Sequence, residues 1–212
     1  MNNIKALWQK CRQSNLLFIP VVVRHFFFRL TGKSILSGSR VKIKGLKNIT
    51  TEKLLTIGVD YVGFMHNKDI TYLNVRGKLI FRHNYSIGTG CRFDIGRGAT
   101  AEFGAGYVNA MTTFVIMHGI TVGDGSVISW GCEFLDADFH QLTYPGKKEK
   151  PPQITIGNHV WIGSNVIVLK GSTIPDGCIV AAGSVVASVF EKPGCLIGGN
   201  PARVIKENVE WN

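Results

Sequence analysis

Aliphatic residues recur every six positions along the C-terminal part of the chain. From residue 156 onward this spacing marks Ile156, Ile162, Val168, Ile174, Val180 and Val186. Four positions after each of the first five comes a small or short residue: Val160, Val166, Ser172, Cys178 and Ser184. An amphipathic helix would place apolar residues three and four apart, and a half-buried strand would place them two apart. We therefore predict a repeating side that consists of a short strand and a turn.

Three such sides would form one coil of a parallel solenoid. Eighteen residues per coil would place Ile156 directly under Ile174. The aliphatic residue would point into a narrow prism, and Gly or Asn would take the corner position with positive φ. Each coil would bury its faces only against its neighbours. The same register continues upstream at Ile116, Val122, Ile128 and Phe134, and it becomes less regular at Ile87, Ile95 and Phe103, which lie eight apart.

The N-terminal region has a different pattern. Residues 16–30, LLFIPVVVRHFFFRL, are strongly apolar, but Pro20, Arg24, His25 and Arg29 interrupt them. The uncharged run is shorter than the roughly 20 residues that a membrane-spanning helix needs. We predict a basic, apolar helical segment over residues 1–40 and a β-solenoid domain over residues 41–208. The helical segment is either a lid on the end of the solenoid or a surface that lies in the headgroup layer of an anionic membrane, and the two are compatible.

Charge and composition refine this picture. The chain has 212 residues, 25 of them Gly, with 18% charged residues and a net charge of +10, which excludes a coiled coil and a disordered chain. Residues 1–50 contain ten Lys and Arg and no acid, so the other 14 cations and 14 acids cancel. A basic stripe on the folded module is therefore absent, and we expect no nucleic-acid partner. Five cysteines without paired spacing favour reduced thiols and a cytoplasmic protein.

The repeats lead to a family. The stretch IGNHVWIGSNVIVLKGSTIPDGCIVAAGSVV, followed by GGNPARVIK, resembles the hexapeptide-repeat acyltransferases, most of all the galactoside, maltose and polysaccharide O-acetyltransferases. The resemblance covers roughly residues 75–208. It implies an all-β, left-handed parallel β-helix with the N-terminal helical segment and a short C-terminal tail. It also implies acetyl-CoA as co-substrate and a homotrimer whose active sites are shared between subunits.

The six-residue register breaks between Phe134 and Ile156, and we predict an inserted loop over residues 135–154. It contains His140 with Asp136 and Asp138 just before it. A sugar hydroxyl is a weak acid, so a neutral imidazole within hydrogen-bond reach assists its attack on a thioester. The resemblance implies that His140 is the catalytic general base, that Asp138 acts with it, and that Asp136 orients it or holds the sugar. The alternative is a surface histidine in a polar loop.

The resemblance also implies contacts for the two substrates. Asn109 stands where related sugar acetyltransferases have an acceptor-contacting Asn, and His118 either faces the same cleft or is structural. The remaining positions would bind the cofactor, with small residues beside the pantetheine arm and cations on its phosphates: Ser164, Ala182, Gly183, Arg203 and Lys206. The family often has a Thr-Lys pair where this chain has Ala187-Ser188, which removes one expected cation.

We therefore expect an acetyl-CoA-dependent O-acetyltransferase that acts on a sugar hydroxyl of a surface polysaccharide or its precursor. N-acetylation of an amino sugar remains open because the same base and cofactor serve both reactions. A metal lyase of the γ-carbonic anhydrase type would need a histidine where Thr113 stands, so no metal is expected. A non-enzymatic solenoid scaffold is the rival from a different class. Peripheral contact of residues 1–35 with the inner face of the membrane also stays open.

Overall fold

The computed structural model describes residues 2–60, 62–66, 68–140, 143, 145–146 and 151–212. Two helices open the chain, α1 (Asn2–Gln13) and α2 (Phe18–Leu30), and a 3-10 turn spans Leu46–Asn48. The other elements are short strands, numbered here in chain order: β1 (Ile35–Ser37), β2 (Val41–Lys44), β3 (Ile49–Thr51), β4 (Leu55–Ile57), β5 (Thr71–Val75), β6 (Lys78–Phe81), β7 (Tyr85–Ile87), β8 (Arg92–Ile95), β9 (Thr100–Phe103), β10 (Gly106–Val108), β11 (Thr113–Ile116), β12 (Gly119–Val122), β13 (Ser126–Ile128), β14 (Glu133–Leu135), β15 (Ile154–Ile156), β16 (Trp161–Ile162), β17 (Ile167–Leu169), β18 (Thr173–Ile174), β19 (Ile179–Val180), β20 (Val185–Val186), β21 (Leu196–Gly199) and β22 (Ala202–Lys206).

The strands build three parallel sheets that the chain visits in turn. The first sheet has the order β1-β4-β7-β10-β13-β16-β19-β21-β22, the second has β2-β5-β8-β11-β14-β17-β20, and the third has β3-β6-β9-β12-β15-β18. A chain that moves from sheet to sheet in this order winds as a parallel β-helix around a triangular prism. At the C-terminal end β22 turns back and pairs antiparallel with β21, which closes the first sheet.

The predicted coil length is confirmed in the C-terminal half. Ile156 pairs with Ile174, and the next side of the prism pairs Ile162 with Val180. The earlier coils are longer, and the predicted alignment of Ile116 with Phe134 is wrong there. Phe114, not Ile116, lies in line with Phe134, and Ile116 pairs with Ile95 two residues further along the same strand. The Phe114 and Ile116 side chains of β11 are both buried, so the six-residue period alone could not show which of them lies in line with Phe134.

Aromatic rings fill the wider, earlier coils. The Phe114 ring stacks on Phe93 and on Phe134, with ring centroids 4.5 Å apart in both pairs. Gly and Asn occupy corner positions with positive φ, as predicted. The tight turns require a left-handed backbone that Gly adopts without steric cost. Gly177 has φ +68° and Gly183 has φ +72°, and Asn165 takes the equivalent conformation with φ +56°.

Helix α2 covers the N-terminal end of the prism. Val21 and Phe28 are buried, and the Arg24 guanidinium donates hydrogen bonds to the Ser37 hydroxyl at 3.0 Å and the Val41 carbonyl at 2.9 Å. The helical segment that the sequence predicted is therefore present and is fastened to the first coil. That coil starts with β1, a few residues before the boundary that we placed between residues 40 and 41.

Candidate active site

Two edges of the prism carry the predicted site residues. We call the edge between the first and second sheets corner 1; its turns are residues 38–40, 58–70, 88–91, 109–112, 129–132, 163–166 and 181–184. We call the edge between the second and third sheets corner 2; its turns are residues 45–48, 76–77, 96–99, 117–118, 136–153 and 170–172. The two corners are separated by the width of the second sheet. Residues at different corners of one chain are therefore on different edges of the molecule.

The inserted loop leaves the prism at corner 2, and Asp136 holds its first residue in place. The Asp136 side chain is fully buried, with an exposed fraction of 0%. One carboxylate oxygen accepts the backbone N–H of Met117 at 2.6 Å, and the other accepts those of His118 at 2.8 Å and Gly119 at 2.6 Å. Because this carboxylate is fully buried as well as engaged with three N–H groups, it is not accessible to a sugar at the surface. The expectation that Asp136 contacts the acceptor is corrected: its position is that of a residue that fixes the loop.

His140 and Asp138 lie on the outer part of the same loop. Both are exposed, and Phe139 between them has a positive φ of 59° and a side chain that is 64% exposed. The Asp138 carboxylate forms an ion pair with the Lys170 ammonium of the next turn of corner 2. This pairing differs from the expected partnership with His140. The Lys-rich tip of the insertion, residues 147–150, lies outside the described residues.

His118 stands in the corner 2 turn that Asp136 fastens. Its side chain is exposed, and its backbone N–H is one of the three that Asp136 accepts. The structure therefore brings His118, Asp136, Asp138 and His140 together at one corner. It does not bring Asn109 to them, because Asn109 opens the corner 1 turn after β10.

Corner 1 carries the residues that we assigned to the acceptor and to the cofactor. Backbone hydrogen bonds connect its turns like rungs: Met111 N–H donates to the Thr89 carbonyl at 3.0 Å, and Gly183 N–H donates to the Ser164 carbonyl at 2.9 Å. Asn109 is half-buried, and its side-chain oxygen accepts the N–H of Ala110 at 2.8 Å. Along the axis, Asn109 comes first, followed by the turn 129–132, Ser164 and then the pair Ala182–Gly183.

A thin chain such as pantetheine fits beside the C-terminal turns of this corner. Ala182 and Gly183 are exposed, and a side chain added at Gly183 would meet no atom within 4 Å. A backbone edge without bulky side chains can hydrogen-bond a ligand that lies against it. Arg203 and Lys206 are also exposed; both lie on β22, the last strand of the first sheet. The residues present therefore suit a long, polar ligand that ends in phosphates.

The thiols are placed for packing. Cys91, Cys132 and Cys178 are buried at the small positions of the repeat. Burial raises the pKa of the Cys91 thiol to about 12 and that of the Cys132 thiol to about 11. Thiols with such pKa values are hardly ionised at neutral pH, and the thiolate is the nucleophilic form. A cysteine nucleophile is therefore not favoured at either position.

One part of corner 1 was missed from the sequence. A second insertion lies between β4 and β5 and is described at residues 58–60, 62–66 and 68–70; it places the exposed Phe64 ring against Trp130, with ring centroids 5.6 Å apart. Trp130 lies in the turn between the levels of Asn109 and Ser164. The irregular spacing before Ile87 was the available signal, because the coil that contains this insertion is longer than its neighbours.

Within the described ranges no three His, Cys, Asp or Glu side chains are close enough to hold a metal ion. Neither α1 nor α2, the helices found in the described part of the chain, is long and apolar enough to cross a membrane.

Several proteins of similar sequence are named as transferases or O-acetyltransferases. A sequence model of the bacterial transferase hexapeptide (six repeats) matches residues 153–188. An uncharacterized 24.8 kDa protein in the cps region of Klebsiella pneumoniae is 41% identical over 214 residues, which is 100% of this chain and 96% of that protein. The galactoside O-acetyltransferase of Escherichia coli is 36% identical over 104 residues, 48% of this chain and 50% of that enzyme. The putative lipopolysaccharide biosynthesis O-acetyl transferase WbbJ of the same species is 28% identical, over 64% of this chain and 75% of that protein.

The fold has a solved counterpart. A point mutant of AntD, an N-acyltransferase from Bacillus cereus solved with dTDP-4-amino-4,6-dideoxyglucose and coenzyme A, superposes with a TM-score of 0.52. The alignment covers 85% of this chain and 83% of AntD at 17% identity, which supports a shared fold and nothing finer. Taken with the repeat match and the O-acetyltransferase relatives, the three-sheet solenoid shows that this chain belongs to the hexapeptide-repeat acyltransferases and adopts their left-handed parallel β-helix.

Proposed function

We propose that this acyltransferase moves the acetyl group of acetyl-CoA to a hydroxyl of a sugar in a surface polysaccharide or its precursor, with His140 as general base. One observation carries the proposal. The loop that bears His140 leaves the coil formed by β13, β14 and β15, and the corner 1 turn of that same coil, residues 129–132, lies between Asn109 and Ser164. His140 acting as base would therefore lie near the height along the prism where an acceptor at Asn109 would meet a thioester at Ser164.

A homotrimer would bring the two corners together. Rotation about an axis parallel to the prism keeps every residue at its height, so a cyclic assembly can place corner 2 of one subunit beside corner 1 of the next. His140 of one subunit would then face Asn109 and Ser164 of its neighbour. A flat prism face cannot enclose a substrate, whereas the cleft between two prisms can.

Each group has a defined task in this cleft. The His140 imidazole removes the proton of the attacking hydroxyl as the new ester bond forms, a contribution of roughly 100- to 10,000-fold. The thioester C–S bond then breaks, and the imidazolium returns the proton to the departing CoA thiolate. Asp136 positions the loop, and the Asp138–Lys170 ion pair braces its outer part. Asn109 and His118 contact the sugar from the two sides of the cleft.

The donor lies along the C-terminal half of corner 1. Ser164 lies at the thiol end, Ala182 and Gly183 leave room for the pantetheine arm, and Arg203 and Lys206 bind the phosphates. An Arg guanidinium suits this task because its planar fork matches phosphate oxygens. Acetyl-CoA supplies an activated acyl group, so the chain needs only to align it and to remove one proton.

The O-acetyltransferase names of the two Escherichia coli relatives favour a hydroxyl acceptor. The test is acetyl-CoA turnover by the full chain against a panel of sugars and nucleotide-sugars, followed by mild alkaline treatment of the product. An acetyl ester is lost under mild base, whereas an acetamide survives. An alkali-labile product supports the proposal, an alkali-stable product assigns the N-acetyl alternative, and an absence of saturable acetyl-CoA binding overturns both in favour of a scaffold.

We also propose that the enzyme works at an anionic membrane surface. The outward face of α2 is apolar: Ile19, Val23, Phe26, Phe27 and Leu30 follow helical spacing and are 57% to 89% exposed. No Asp or Glu occurs before Glu52, and Lys5 and Arg29 are exposed on the two helices. Cations beside exposed aromatic residues match the headgroup layer of anionic lipids. Such binding would hold the enzyme beside lipid-linked polysaccharide precursors.

A further inference from the structure

Corner 1 continues as a groove on the N-terminal side of Asn109. A cavity of about 330 Å3 reaches from Asn109 and Tyr107 to Asp60 and Val62. A second cavity, of about 290 Å3, shares Asp60 and Val62 and extends beneath the end of α1 to Gln13 and Asn15. The two cavities are therefore parts of one groove, the Asp60 groove, which starts at the predicted acceptor contact and ends under a helix.

Helix α1 forms one wall of this groove and is tied to its floor. The Lys10 ammonium lies 2.6 Å from one Asp60 carboxylate oxygen, and the Ser14 hydroxyl donates to the Val59 carbonyl at 2.7 Å. The other Asp60 oxygen accepts the hydroxyls of Ser86 and Thr56. The wall and the floor are thus fixed relative to each other, so the groove is a formed site.

The lining has the chemistry of a saccharide site. Burial alone would raise the pKa of Asp60, but hydrogen bonds from Lys10 and Ser86 outweigh it and keep the pKa below its usual value, so the carboxylate stays an acceptor. Asp69 and Asn15 add acceptors and donors along the second cavity. Sugar hydroxyls pair with such groups, and the C–H face of a sugar ring packs on an aromatic ring.

The Asp60 groove also contains apolar surface on which the C–H face of a sugar ring can pack. Tyr107 is 45% exposed at the Asn109 end, and Val62 lines both cavities. A fatty or purely apolar ligand would cover the polar side chains of Asp69 and Asn15 in the second cavity without pairing them, which is costly. Polar groups that alternate with small apolar surfaces favour a carbohydrate over such a ligand.

We infer that the Asp60 groove binds the sugar residues of an oligosaccharide acceptor that extend away from the residue acetylated at Asn109. This inference rests on the proposed function for the reacting end, and it makes the substrate class a glycan chain and not a free monosaccharide. Helix α1 would then be a part of the acceptor site as well as of the N-terminal segment.

The test uses the full chain and two substitutions at Gln13, which is exposed at the end of α1 and lines the far cavity. Gln13→Trp fills the cavity, whereas Gln13→Ala leaves it open. Binding to an array of bacterial surface oligosaccharides and to their component monosaccharides is measured for the parent and both variants. We expect oligosaccharides to bind at least about tenfold more tightly than monosaccharides, and Gln13→Trp to lose about tenfold in that affinity. Gln13→Ala should keep it.

Two measurements separate this inference from the proposed function. Equal affinity for monosaccharides and oligosaccharides, no oligosaccharide binding, or unchanged binding by Gln13→Trp overturns the groove while acetyl transfer to a monosaccharide stands. If oligosaccharides bind in a Gln13-dependent way but no acetyl-CoA turnover follows, the proposed function fails and the groove remains. The dissociation constant for acetyl-CoA, which binds at the other end of corner 1, should be the same in all three proteins.

Discussion

The Asp136 carboxylate accepts the backbone N–H of His118 at 2.8 Å, although the two residues belong to successive coils of corner 2. The same carboxylate accepts two further N–H groups, from the part-buried Met117 and the buried Gly119. In Asp136→Ala all three donors lose their acceptor, and each buried unsatisfied donor costs about 1–3 kcal/mol. We predict a loss of about 3 kcal/mol or more in the free energy of unfolding, measured by denaturant titration.

A surface carboxylate provides the matched control. Glu52 forms an exposed ion pair with Arg82 at 2.7 Å, and such pairs are worth about 0–1 kcal/mol. Glu52→Ala should therefore change stability by less than about 1 kcal/mol. If Asp136→Ala were as mild as this control, Asp136 would be free for the acceptor contact that the sequence first suggested.

The His140 prediction concerns turnover. We predict that His140→Ala lowers kcat by at least about 100-fold while the dissociation constant for acetyl-CoA changes little, because only proton removal is lost. His83→Ala serves as control. His83 is an exposed histidine in the turn between β6 and β7, away from corners 1 and 2, and it faces Asp124. Retained activity in His140→Ala would transfer the role to His118 or to substrate-assisted chemistry.

The sequence predicted the solenoid well because its period reflects a repeated packing requirement. Every inward side chain of the last coils must fill the same narrow prism, so equivalent positions such as Ile156 and Ile174 have the same residue type. The wider coils break that rule, since Phe114 and Ile116 are both buried on one strand. The tasks of Asp136 and Asp138 could not be predicted either, because they depend on backbone donors and on Lys170, which the chain brings near only by completing a coil.

The phosphate end gives a prediction about the Michaelis constant. Arg203→Ala should raise KM for acetyl-CoA by about tenfold with a smaller effect on kcat, because a charge-assisted hydrogen bond is worth about 1.5–3 kcal/mol. Lys192→Ala is the matched control: this exposed cation lies at the same end of the prism but is paired with Glu207. Equal effects of the two substitutions would place the phosphates elsewhere.

A shared active site predicts complementation between two inactive proteins. His140→Ala removes the corner 2 contribution and Asn109→Ala the corner 1 contribution, so neither homotrimer has an intact cleft. After co-refolding in equal amounts, random assembly should return about a quarter of the clefts to the parental state. Turnover of the mixture measures this fraction, and sedimentation checks that the assemblies are trimers. If the mixture stays as inactive as its parents, the site lies within one chain.

The last prediction tests the membrane surface without disturbing the fold. Truncation would remove Phe28, which is buried in the core, so substitutions on the outward face of α2 are preferable. Phe26 and Phe27 are 64% and 57% exposed, and burial of each in the headgroup layer would contribute about 1.5–3 kcal/mol. We expect the parent chain to float with vesicles of phosphatidylglycerol and phosphatidylcholine at low salt, and to lose that binding on pure phosphatidylcholine.

The Phe26→Ser, Phe27→Ser double variant should lose at least about tenfold in vesicle affinity, whereas Val189→Ser, at a residue 57% exposed near the opposite end of the prism, should lose none. Binding of the parent should also weaken as salt rises, because each cation contributes about 1 kcal/mol that ions screen. Equal flotation of all three proteins would leave α2 as a cap of the solenoid. A change in sedimentation mass with unchanged vesicle binding would assign its apolar face to contact between copies of the chain.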